Sequence, residues 1–152
     1  MQCFHKSSSH VQMQAEELIF KKVENILNLK LEKNKKIYLA DNKYTYIQPD
    51  FYSSEKSIIG EIFAHIGKPK KAQDNKIAND VLKMLLLEKT TGKEYRKIIA
   101  VCDEAEKKKL QGDSVLAESI RQFGVEIMFI EIDEHIREQI LEAQKLQKMT
   151  NA

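Results

Sequence analysis

Residues 47–73 read IQPDFYSSEKSIIGEIFAHIGKPKKAQ, and how the chain folds turns on this stretch. Pro49 lacks an amide hydrogen and biases Gln48 toward extended geometry, so it marks the end of one run of strand pairing, with Asp50 at that end. A turn rich in Ser and charge follows. Ser57 to Ile66 then reads as an apolar strand, and Glu61 lies inside it. Gly67 and Pro69 end this strand and open a helix, since proline is favoured in a first helical turn. Two carboxylates on adjacent strands can converge on one divalent cation. The helix start, crowded with Lys68, Lys70 and Lys71, is a place where amides and dipole already favour phosphate.

Upstream, residues from about His10 to Leu31 have helical period, with Ile19, Val23, Ile26 and Lys30 on one stripe and Phe20 and Leu27 widening it. Lys36 to Ala40 is a short apolar run, Asp41-Asn42 is hairpin-turn chemistry, and Tyr44 to Gln48 alternates as a half-buried strand does. Downstream, the second helix carries Ile77, Val81, Met84 and Leu85 on its buried stripe, runs to about Glu88, and stops at Thr90-Thr91-Gly92. Lys97 to Cys102 (KIIAVC) suits a central strand covered on both faces. Glu104 to Phe123 is helical with a break at Gly112, where Asp113 or Ser114 can cap the second segment. Val125 to Ile132 is another strand, and Asp133 caps a last helix reaching about Met149.

The expected order is therefore helix, a three-strand meander, helix, strand, helix, strand, helix. A meander requires antiparallel pairing and strand–helix–strand requires parallel pairing, so the fold class is α/β with a mixed sheet flanked by helices. Residues 1–10 read as a flexible N-terminus and 11–150 as one domain. In the last helix, Ile136, Ile140 and Ala143 either pack on the core or pair with a second copy.

The 152 residues are 42% hydrophobic and 32% charged, ordinary for a soluble globular protein. A formal charge of +2 does not announce nucleic-acid binding, so any basic surface must be local. Besides the cluster after Gly67, lysines group at Lys33, Lys35 and Lys36 and at Lys107, Lys108 and Lys109. Cys3 and Cys102 are far apart and form no disulfide framework, which fits a reducing cytoplasm. Cys3, His5 and His10 match the spacing of no closed zinc site. No apolar run reaches the roughly 18 residues of a membrane span, and the first residues lack the apolar centre of a signal peptide.

Strand side chains alternate, so Glu61, Phe63 and His65 share one face. A glutamate within SIIGEIFAHI is surrounded by apolar neighbours, and a buried unpaired carboxylate is costly enough to call for a partner charge or metal. Asp50 and Glu61 suit Mg²⁺, with Mn²⁺ as a substitute, because such an ion accepts one or two carboxylates and keeps its other positions for water and phosphate. His65 lies about 13 Å along the strand from Glu61 and reads as a satisfied structural histidine.

An acid after a proline, a second acid in the following strand and a basic helix start together resemble the PD-(D/E)XK nuclease superfamily. Its α-β-β-β-α-β core is similar to this order over roughly residues 12 to 132. The resemblance implies a restriction-endonuclease-like fold and a metal-dependent phosphodiesterase acting on DNA, with Asp50 and Glu61 as catalytic metal ligands. It also implies an acid from the first helix, Glu16, with Glu17 as the fallback. The family's lysine, two residues after the second acid, is absent, because Phe63 stands there and a phenyl ring carries no charge. Either the cation has migrated, or catalysis is lost and the fold serves as a nucleic-acid-binding or protein-interaction subunit. Counting back from Ile77 in helical steps gives Gln73 and Lys70 as the migrated site, with Lys68, Lys70 and Lys71 holding nucleic acid. The residues do not choose between DNA and RNA.

Overall fold

The computed structural model describes residues 8–39, 43–68 and 70–150. The Asp41-Asn42 turn, Pro69, Cys3 and His5 lie outside the described residues. The first helix, α1 (Ser8–Leu27), buries Ala15, Ile19, Phe20 and Val23. Leu27 packs partly against the same core, whereas Ile26 is exposed. Asn28 takes a positive φ of 53° and Leu29 N–H turns back to Glu24 O at 3.1 Å, so the helix ends before Leu31.

Two sheets account for the strands among the described residues. The larger contains β1 (Glu32–Lys33), β4 (Phe51–Ser53), β5 (Ile58–Phe63), β6 (Arg96–Val101) and β7 (Val125–Phe129), in the order β1-β4-β5-β6-β7. β1, β4 and β5 run antiparallel to their neighbours, whereas β5, β6 and β7 are parallel, so this five-stranded sheet is mixed. The meander is corrected. The runs expected at Lys36–Ala40 and Tyr44–Gln48 become β2 (Ile37–Tyr38) and β3 (Tyr46–Ile47), which pair only with each other. The antiparallel neighbour of β5 is β4, inside the interval expected to be a turn. Phe51 and Tyr52 are both buried, and that burial drives three residues into the sheet despite the serines around them. Asp50 consequently precedes β4 rather than closing the strand before it.

The remaining helices are α2 (Lys71–Thr91), α3 (Glu104–Leu110), α4 (Val115–Gln122) and α5 (Glu134–Thr150). Their ends follow capping chemistry. Gly92, at φ +69°, closes α2 by donating to Glu88 O at 2.9 Å. Ser114 Oγ accepts Ala117 N–H at 3.0 Å, and Asp133 Oδ1 accepts Ile136 N–H at 2.9 Å. No described helix is long and apolar enough to cross a membrane.

The core has two layers. Ile19 and Val23 of α1 and Ile140 of α5 meet Phe51, Ile62 and Ile98 on one sheet face. Ile77 and Met84 of α2, Leu110 of α3 and Ile120 of α4 meet Ile59 and Phe63 on the other. Alternation along β5 places Glu61 on the α2 side. One contact locks the register that matters. Phe51 pairs with Gly60, and its ring lies so close that a Cβ at position 60 would overlap it, so only glycine fits opposite that ring.

Candidate functional site

Extending the β4–β5 register by one step, from Phe51 opposite Gly60, puts Asp50 opposite Glu61. Directly opposed residues of antiparallel strands face the same way, with Cα atoms about 4.5–5.5 Å apart. Asp50 is anchored at this point because its Oδ2 accepts the Ile62 amide at 2.6 Å, satisfying a β5 donor beyond the end of β4. Its carboxyl is in hydrogen-bond contact with that of Glu61. The structure thus brings together the two acids on which the sequence reading centres.

Their electrostatics are unbalanced. Burial, then the charge of Asp50, then that of Asp80 push the Glu61 carboxyl up to about 9, with Lys76 pulling the other way. Glu16 on α1 is also raised, by burial and then by Asp50, and is eased by a hydrogen bond from Gln12 and by Lys76 and Lys33. Asp80 on α2 is raised by burial against the opposing pull of Lys76. Burial acts to lower Lys76, but Asp80, Glu61 and Asp50 more than offset it, so its ammonium is held in the charged state. The charge of Lys76, paired with Asp80, therefore acts on all four acids.

That lysine is not the expected one. Lys76 Nζ lies 3.2 Å from Asp80 Oδ2 and 5.9 Å from the centre of the Phe63 ring. Lys70 and Gln73 sit farther toward the mouth of α2, where Gln73 Oε1 accepts the Lys70 amide at 2.6 Å and both line a groove with His65 and Lys68. Lys71 is exposed on the first turn. Lys76, the residue directly before Ile77, lies off the helical steps that lead from Ile77 back to Gln73 and Lys70. Asp80 had a usable signal: it is three residues after Ile77 and four before Met84, on the sheet-facing stripe where an acid is out of place.

His65 stacks on Phe63, ring centres 5.5 Å apart, so it shares the expected face. Its ring makes a backbone hydrogen bond with Gly67, while its buried Nδ1 finds no hydrogen-bond partner among the described residues. Burial holds its pKa below the usual value, against the pull of Asp103. Cys102 is buried, and burial pushes its thiol up to about 12, an inert state.

Among the described residues, no three His, Cys, Asp or Glu side chains are gathered as a ligand set. The arrangement is a pair, with Glu16 acting on it through its charge. A pair suits Mg²⁺ or Mn²⁺: the donors are all hard oxygens, and such ions take one or two carboxylates while keeping water or phosphate in their other positions. The raised Glu61 also marks a place where added positive charge is favourable. Comparison with protein-family models, curated proteins and solved structures returned no match. The fold and the site together define a mixed α/β protein in which a buried glutamate and a half-buried aspartate are faced by a lysine from the neighbouring helix.

Proposed function

We propose that this chain is a metal-dependent phosphodiesterase acting on DNA, a divergent PD-(D/E)XK nuclease whose lysine has moved from β5 to α2. The observation that carries the reading is the placement of Lys76 over the ring of Phe63, with its charge acting on Glu61 and Asp50. In this reading α1, the antiparallel strands, β5, α2 and β6 are the restriction-endonuclease-like core. Asp50 and Glu61 would hold Mg²⁺, which when bound polarises a phosphate and activates water. Lys76 neutralises charge developing on the phosphate oxygens, as Asp80 holds its ammonium in place. Glu16 adds negative charge behind the pair.

Measuring Mn²⁺ binding calorimetrically, alongside Mg²⁺-dependent cleavage of DNA, tests this assignment. Asp50→Ala and Glu61→Ala each abolish Mn²⁺ binding, whereas Lys76→Met retains binding and loses about 10²- to 10³-fold in rate, the cost of removing one transition-state donor. In the double variant F63K/K76M, a lysine at the family position restores part of that rate. An isotherm unchanged by both acid substitutions rejects the site. A native protein that binds Mn²⁺ and DNA without cleaving is the other class, a catalytically silent nuclease fold used for binding.

A further inference from the structure

We infer that the groove between the mouth of α2 and the outer half of α5 holds the phosphodiester backbone of DNA, with Lys145 and Lys148 of α5 as its second wall. The groove, about 370 Å³, is lined by Lys68, Lys70 and Gln73 on one side and Lys145, Gln147 and Lys148 on the other, with no acidic side chain among its lining residues. Four lysines in one groove stand out in a chain whose net formal charge is only +2. None of these four makes an ion pair among the described residues, whereas Lys35, Lys76, Lys97 and Lys109 each sit within 3.2 Å of a carboxylate oxygen. Unpaired cations flanked by glutamine amides match a chain of phosphates, which offers repeated charge and many acceptors.

The two walls are held in fixed relation. Gln144 of α5 clasps the backbone of Ile66, accepting its N–H at 2.9 Å and donating to its carbonyl at 3.0 Å. These two hydrogen bonds tie α5 to the chain just beyond β5, so Lys145 and Lys148 line the groove opposite the lysines of the loop and of α2. The groove opens on the side of the acid pair's own strand. It reaches His65, which stacks on Phe63, and His65 is four residues along the chain from Glu61, about 13 Å at strand rise. At about 3.4 Å per phosphate along one strand, roughly four nucleotides cover that distance. A backbone lying in the groove would thus lead to Asp50 and Glu61, and the inference rests on the nuclease reading for what happens there.

Anisotropy of a fluorescently labelled DNA duplex, without divalent cation and between about 50 and 200 mM salt, tests the groove. Two phosphates released from Lys145 and Lys148 correspond to a loss of about 1.8 in the slope of log affinity against log salt. K145A/K148A is therefore expected to bind more weakly with that shallower slope, while its Mn²⁺ isotherm is unchanged and K107A/K108A binds DNA as the native protein does. Equal affinity and slope for K145A/K148A, or the same loss in K107A/K108A, overturns the inference. Tighter binding of labelled RNA than of DNA overturns DNA as the occupant. Absence of Mn²⁺ binding in the native protein refutes the nuclease reading alone, because the groove is measured without metal.

Discussion

Two groups of buried and half-buried acids lie around α2, and their charges are balanced differently. Near its start, Asp74 meets Lys109 of α3 at 2.8 Å, and Asp103, the N-cap of α3, meets Arg137 of α5 at 2.8 Å. Each of these acids has its own cation, and each pair ties one helix to the next. Glu106 is the remainder: its carboxyl oxygens are buried without a hydrogen-bond partner among the described residues, and burial and then Asp74 push it up to about 7. In the middle of α2, by contrast, Asp50, Glu61, Asp80 and Glu16 share Lys76, and Lys83 reaches Asp80 only at 4.0 Å. The first group uses its charges to join elements. The second holds an excess that only protons or a cation can neutralise, and a folded protein keeps such an excess more readily for binding than for stability.

The largest expected effect follows from Glu61. Its folded pKa of about 9 lies above the ordinary 4.5, so the native state holds this proton more tightly than the unfolded chain does. The resulting stability is complete below pH 4.5 and is lost as pH rises through 9, with a slope of up to about 1.4 kcal/mol per pH unit. Thermal unfolding followed between pH 5 and 9 should show a falling midpoint in metal-free protein, a decline that Glu61→Gln largely removes. Mn²⁺ at pH 8 should raise the midpoint of the native protein and leave that of Glu61→Gln nearly unmoved. A midpoint flat with pH in the native protein would erase the contrast between the two groups.

Glu106 should give a smaller version of the same response. Its window runs only from 4.5 to about 7, so Glu106→Gln should stabilise the protein at pH 8 by less than Glu61→Gln does, and flatten only the acidic half of the curve. Mn²⁺ should stabilise Glu106→Gln as much as it stabilises the native protein. If Mn²⁺ loses its effect on this variant, the metal site is near α3 and not at the β4–β5 pair.

The smallest effect concerns a paired acid. Arg137→Ala leaves Asp103 buried without its cation, but the arginine side chain is 37% exposed. The cost should therefore be about 1–2 kcal/mol, well under the 3–5 kcal/mol of a fully buried pair. Denaturant unfolding measures it, and added Mn²⁺ should not recover the loss. Recovery would mean that the two groups are not distinct.

How much of this was legible in the sequence follows the range of the forces involved. The apolar run around Glu61 and the caps at Ser114 and Asp133 act within a few residues, and so they mark β5 and most helix ends, whereas Pro49 closes no strand of the sheet that holds Glu61, since β3 pairs only with β2. β4 was hidden because three residues are too few to show alternation, and β1 because both its residues are exposed. Asp80 is visible in its helical spacing, three residues after Ile77 and four before Met84, whereas no local pattern marks Glu16 as its companion. By itself the sequence set Asp50 directly after a proline and placed Glu61 and Phe63 on one face of an apolar strand. Only the tertiary structure decided that Lys76 covers Phe63 and that the acids around it outnumber their cations. Charge balance and pKa depend on distances and burial across β4, β5, α1 and α2, and no local pattern in the sequence encodes those distances.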